Sequence, residues 1–131
     1  MATESFDVWL SGLTLGFWGT GQHKMTAAQL SEKWRNGERA VVLDTRAVEE
    51  TQYVHLPFAL HMPIAELPHR WQEVPKDAPV AVFCSSGVRS AIAYAYLQLK
   101  GLTNARILEG NYEGLVAEFV PGKLWKLIQG K

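Results

Sequence analysis

At 131 residues and 47% apolar composition, the chain has the size and hydrophobic content of one packed domain. Thirteen basic and thirteen acidic residues cancel, which gives no support to a nucleic-acid or anionic-membrane surface. A single cysteine excludes an internal disulfide framework and suits a reducing compartment, so a cytoplasmic location is expected.

Residues 1–23 carry an apolar run at 8–18 that is too short to span a membrane, since a spanning helix needs ~20 residues. Glu4 and Asp7 precede the run where a secretory signal would be basic. Its glycines, Gly12 and Gly16, weaken a helix reading. Two readings stand: an arm that packs on the domain, or a self-association or partner surface carrying Trp9, Phe17 and Trp18.

Thr26 is a good N-cap, and residues 27–36 read as a helix with Leu30 and Trp34 on one face and Gly37 as the stop. Residues 40–43 read as a buried strand ending at Asp44. Asp44 and Arg46 therefore sit at a strand's carboxyl end, where function gathers in open α/β sheets. They read as supports, with Arg46 paired to Glu49 or Glu50 to pin the loop. Val48–Tyr53 is a short helix candidate, His55-Leu56-Pro57 a turn, and 59–62 a short strand. A helix starts at 64–67, with Pro68 in its first turn or breaking it.

Val80–Phe83 is a buried strand, and a helix runs from about 89 to 100 with Ile92, Ala95, Tyr96 and Leu99 on one face. Gly101 stops it. Residues 105–108 form the last strand, 111–119 a helix ended by Pro121-Gly122, and Trp125, Leu127 and Ile128 a C-terminal tail. Strands alternating with helices predict a parallel sheet covered on both faces.

The chemistry centres on Cys84-Ser85-Ser86-Gly87-Val88-Arg89-Ser90, a tight polar loop between strand and helix. Unpaired N–H groups at the helix start and the helix dipole make an anion site there. Gly87 permits a turn that a β-carbon opposes. A sulfur in this loop is stabilised as thiolate, its nucleophilic form, with Arg89 as a nearby cation. Cys84 is thus the candidate nucleophile. His23, His55, His61 and His69 show no metal-ligand spacing with Cys84, so no metal is expected.

The same loop resembles the active-site loop of the rhodanese sulfurtransferases, C-x-x-G-x-R-[ST]. The segment from Asp44-Thr45-Arg46 through Glu50 to His55-Leu56-Pro57-Phe58-Ala59 is similar to that family's D-V-R-x-x-x-E-[YF]-x-x-G-H-I-P-G-A. Leu60-His61-Met62-Pro63 follows where I-N-I-P is usual. The resemblance covers about residues 25–120 and implies an α/β fold of rhodanese type, with a central parallel sheet and helices on both faces. The chain then divides into an N-terminal apolar extension, 1–24, and a rhodanese-like domain, 25–131.

The resemblance implies a two-step sulfur transfer. Cys84 takes the outer sulfur of a donor, thiosulfate or a protein persulfide, and a thiol or cyanide acceptor removes it. Backbone groups from Ser85 to Arg89, with the Ser85 and Ser86 hydroxyls and Ser90, would hold the persulfide, with Asp44 and Arg46 in support. No cofactor is required, because cysteine carries the sulfur.

Departures are Val54 and Phe58 where Gly is usual, Asn111-Tyr112 where Gly-Trp is common, and Ser85 where thiosulfate-using members often carry a cation. The alternatives are a sulfur carrier or relay module and, less favoured, a cysteine phosphatase or arsenate reductase. The phosphatase loop places one residue more between Cys and Arg than the four found here.

Overall fold

The computed structural model of the chain describes residues 3–130. Two short helices, α1 (Thr3–Ser11) and α2 (Leu15–Gly19), precede β1 (Lys24–Thr26) and α3 (Ala27–Arg35). Then come β2 (Val41–Asp44), α4 (Val48–Tyr53), β3 (Leu60–His61) and α5 (Leu67–Arg70). The chain continues through β4 (Val80–Phe83), α6 (Val88–Leu99), β5 (Ala105–Glu109), α7 (Asn111–Val116) and α8 (Pro121–Gln129). Single 3₁₀ turns flank α5 and follow α7.

All strands are parallel, in the order β1-β5-β4-β2-β3. β4 is central, and all four of its residues are fully buried. The two-residue period of a strand divides it between two cores. Val80 and Val82 join Leu43, Ala93, Tyr94 and Leu97 on the α6 side. Ala81 and Phe83 join Val42, Leu30, Leu108 and Leu115 on the α3 and α7 side. This is the expected α/β architecture, and the loop after β4 emerges at the middle of the sheet's carboxyl edge.

Several local expectations change. The buried face of α6 is Ser90, Ala93, Tyr94 and Leu97, whereas Ile92 is 58% exposed. Polar Ser90 opens the buried stripe, so apolar periodicity alone points to the wrong face. β1 was hidden because it is three residues long and Thr26 is also the N-cap of α3. There the Thr26 hydroxyl accepts from Gln29 N–H, and the Gln29 side chain accepts from Thr26 N–H.

Pro121 does not only end a helix. It opens α8, where a first-turn proline loses no intrahelical bond, and α8 docks against α3. The N-terminal segment is helical because its glycines fall at helix ends and in the link between α1 and α2. Trp9 packs on Tyr94 of α6, ring centroids 6.1 Å apart, and Phe17 joins the same core. Leu10, Leu15 and Trp18 stay exposed. Among the described residues, no helix is long and apolar enough to cross a membrane.

Candidate active site

Cys84 follows β4 directly and is 2% exposed. The chain then turns through Ser85 and Ser86 to Gly87, whose φ of 93° lies in the left-handed region. A β-carbon would be strained there, which is why this turn requires glycine. The turn folds the start of α6 back over the sulfur. Gly87 N–H donates to Cys84 Sγ at 3.0 Å and Ser90 N–H at 3.3 Å. The thiol donates to Ser90 Oγ at 3.4 Å, and that hydroxyl donates to Gly87 O at 3.1 Å.

Burial is the largest single influence on the Cys84 thiol and pushes its pKa up. The Ser90 hydroxyl and the N–H groups of Ser90, Ser86 and Gly87 together outweigh burial and hold the thiol below its ordinary value. A thiolate can only accept, so keeping its bond with Ser90 would require that hydroxyl to donate to the sulfur in place of Gly87 O. Hydrogen bonds, rather than the Arg89 charge, are what hold this thiol down.

Arg89 is engaged elsewhere. Its guanidinium donates from both terminal nitrogens to the two Glu50 carboxylate oxygens, the Nη2 bond measuring 2.9 Å. Nη2 also donates to Ser85 Oγ at 2.9 Å. Arg89 holds the Glu50 carboxyl down at about 2, and Ala47 N–H, 3.0 Å from Glu50 Oε1, adds to this. The pair ties α4 to the first turn of α6 and clamps the loop between them. The pairing of Arg46 with Glu49 or Glu50 expected from the sequence is not formed: Glu50 goes to Arg89 and Arg46 to Asp44. The signal for Glu50 lies in the quoted motif, where it occupies the glutamate position.

Arg46 is fully buried and pairs with Asp44. Its Nε donates to Oδ1 at 2.9 Å, and Nη2 to Oδ2 at 2.7 Å. Nη1 donates to the Tyr112 hydroxyl at 2.8 Å, and the guanidinium lies 5.4 Å from both the Phe83 and Tyr112 ring centres. Asp44 raises the Arg46 pKa further, so the charge is permanent. Arg46 O is 2.8 Å from His61 Nε2. The Asp44–Arg46 pair thus links the loop after β2 to Tyr112 of α7 and His61 of β3. Tyr112, their third member, lies 66 residues from Arg46, and no local pattern marks it.

Other predicted residues take varied positions. Ser85 is half-buried, and Ser86 is exposed. Val88 is 64% exposed. Phe58 is not in the left-handed region. Asn111, at φ 52°, is the sole non-glycine there among the described residues. Phe58 instead packs between Trp34 and Phe119, ring centroids 5.5 and 5.3 Å away.

Comparison with known proteins agrees with this geometry. Residues 26–118 match the family model of the rhodanese-like domain. A sulfurtransferase of Allochromatium vinosum is 33% identical over 95 residues, covering 72% of this chain and 86% of that protein. A rhodanese-related protein from Thermoplasma volcanium superposes with a TM-score of 0.64 at 31% identity, covering 76% of this chain and 95% of that one. A NAD-dependent persulfide reductase from A. fulgidus gives 0.56 at 30% identity, covering 74% of this chain but 16% of that one. The cysteine-bearing loop after β4, the parallel sheet beneath it and these likenesses identify the chain as a member of the rhodanese family of sulfurtransferases and sulfur-relay modules.

Proposed function

We propose that the chain moves sulfane sulfur through a persulfide on Cys84. The thiolate attacks the outer sulfur of a donor, thiosulfate or a persulfide. The donor's S–S bond breaks, its leaving group takes the electron pair, and Cys84 keeps one extra sulfur. A thiolate or cyanide acceptor then attacks that outer sulfur, and Cys84 leaves as thiolate. The observation that carries this reading is the convergence of Gly87 N–H and Ser90 N–H on a buried Sγ. Preorganised donors stabilise the negative sulfur in both steps.

The paired arginines weigh against phosphate chemistry. Arg89 is taken by Glu50 and Ser85, and Arg46 by Asp44 and Tyr112. Asp44 is locked in its ion pair and is poorly placed to serve as the general acid that phosphate release needs. A thiol that must stay reduced suits the cytoplasm.

Intact-mass measurement after exposure to thiosulfate or a persulfide donor tests the reading. The expected result is a mass gain of one sulfur atom, lost on adding a thiol or cyanide and absent in Cys84→Ser. Hydrolysis of an aryl phosphate by the unmodified protein, lost in Cys84→Ser, would overturn it.

A further inference from the structure

Beside the active-site loop lies a cavity of about 310 Å³ that the sulfur chemistry leaves unused. Gly87 belongs to both: its N–H donates to Cys84 Sγ, and the residue also lines the cavity. The other walls include His23, Lys24, Glu109 and Asn111. His23 and Lys24 lie just outside residues 26–118, so the segment before the matched domain completes the lining.

Three observations define what the cavity suits. First, His23 Nδ1 is buried and is the one side-chain polar atom of this kind without a hydrogen-bond partner among the described residues. Its backbone is fixed, because His23 O accepts from Ile107 N–H at 2.8 Å. Its ring is held 4.8 Å from that of Trp18 and 6.0 Å from that of Phe17. A buried nitrogen so constrained gains from a ligand that supplies the missing hydrogen bond. Second, Lys24 Nζ and Glu109 Oε2 sit 3.0 Å apart on the same wall, both partly exposed. They offer one positive and one negative group. Third, Asn111 is held at a positive φ with Oδ1 facing Gly87, 4.0 Å from where a β-carbon would stand.

This lining discriminates by charge. Lys24 and Glu109 neutralise each other, so the wall offers no net charge to attract a dianion such as thiosulfate or a simple cation. A zwitterion presents its carboxylate to Lys24 and its ammonium to Glu109, with the Asn111 amide on the same lining. The volume falls at the lower end of the range for small-molecule sites.

We propose that this cavity seats the amino-acid end of the sulfur acceptor, which is a small zwitterionic aminothiol. The inference rests on the sulfur-transfer reading above. The thiolate end attacks the outer sulfur of the Cys84 persulfide. The Cys84–sulfur bond breaks, Cys84 leaves as thiolate, and the acceptor departs as its own persulfide. No oxidant or reductant is consumed.

The test uses the persulfide-loaded full chain and four thiols: L-cysteine, cysteamine, 3-mercaptopropionate and 2-mercaptoethanol. The rate of sulfur removal is read by intact mass and expressed per thiolate. L-Cysteine is expected to be about tenfold faster than 2-mercaptoethanol below saturation, the worth of one charge-assisted contact. Lys24→Met should reduce L-cysteine to the level of cysteamine, and Glu109→Gln to that of 3-mercaptopropionate. Equal rates for L-cysteine and 2-mercaptoethanol would overturn the inference while leaving sulfur transfer intact.

A second measurement needs neither variants nor sulfur chemistry. L-Serine should shift the NMR signals of the His23 ring and the Gly87 amide with a Kd of about 10 mM or lower. Ethanolamine and propionate should shift them less. If no thiol removes sulfur, the sulfur-transfer reading fails, and this titration still decides whether the cavity binds a zwitterion. Unmoved His23 and Gly87 signals would overturn the site itself.

Discussion

Glu50 and Arg89, 39 residues apart in the chain, form a two-pronged ion pair that closes α4 against the active-site loop. Its acid limit is set by Glu50, whose pKa is lowered from 4.5 to about 2. A depressed carboxylate stabilises the fold fully above its unfolded value and loses that effect as pH falls through its folded value. Unfolding midpoints of the native protein and Glu50→Gln, measured against pH, should therefore differ at neutral pH. The difference should shrink between pH 4.5 and about 2. A difference independent of pH would mean that the charge pairing is not what holds the loop.

Cys84 should react as a thiol more acidic than usual, since its hydrogen bonds hold it below the ordinary value. Ser90→Ala removes the hydroxyl that turns to the thiolate. The midpoint of alkylation rate against pH should rise by about one unit, the scale of a hydrogen bond to a charged group. A native midpoint at or above the ordinary thiol value would sink the assignment of a hydrogen-bond-activated nucleophile.

Asp44 is argued to support rather than to react. Asp44→Ala leaves the fully buried Arg46 without its counter-ion and should cost about 3–5 kcal/mol in urea unfolding. Tyr112→Phe removes the acceptor of Arg46 Nη1 and should cost about 1–3 kcal/mol. In folded Tyr112→Phe the Cys84 alkylation midpoint should match the native protein. A large shift there would tie Tyr112 to the sulfur itself.

Ser85 contributes a hydroxyl to Arg89 and no charge. Thiosulfate should be a poor donor with a high KM, and Ser85→Arg should lower that KM if a cation is the missing element. An unchanged KM would show that donor binding is decided away from this position.

Trp9 tests the N-terminal segment. It packs on Tyr94 within the α6-side core, so Trp9→Ala should lower stability by about 2 kcal/mol. Sedimentation of the same variant reads the other role. A change in oligomeric state with an unchanged urea midpoint would favour the partner surface over the packing arm.

Legibility followed distance along the chain. Strand β4, its loop and the α6 helix lie within twenty residues, and apolar runs, Gly87 and Cys84 announce them locally. The α6 register was misread because Ser90 faces inward to the sulfur, where apolar periodicity predicts a hydrophobic side chain. β1 and α8 were missed for a different reason. A short edge strand carries little local signal, and Pro121 can mark a helix start as readily as a stop; both elements are stabilised by what they dock against.

What the sequence by itself determined is the α/β class and the cysteine loop between β4 and α6, because both are written in contiguous residues. Only the tertiary structure decided the pairings: Arg89 with Glu50, and Arg46 with Asp44 and with Tyr112, 66 residues away. It also decided the cavity that brings His23 beside Gly87. The reason is topological. The order β1-β5-β4-β2-β3 sets the ends of β5, β4 and β2 side by side, so residues remote in sequence meet above one sheet edge. A guanidinium there has several carboxylates within chain reach, and burial and geometry, which no local pattern encodes, choose among them.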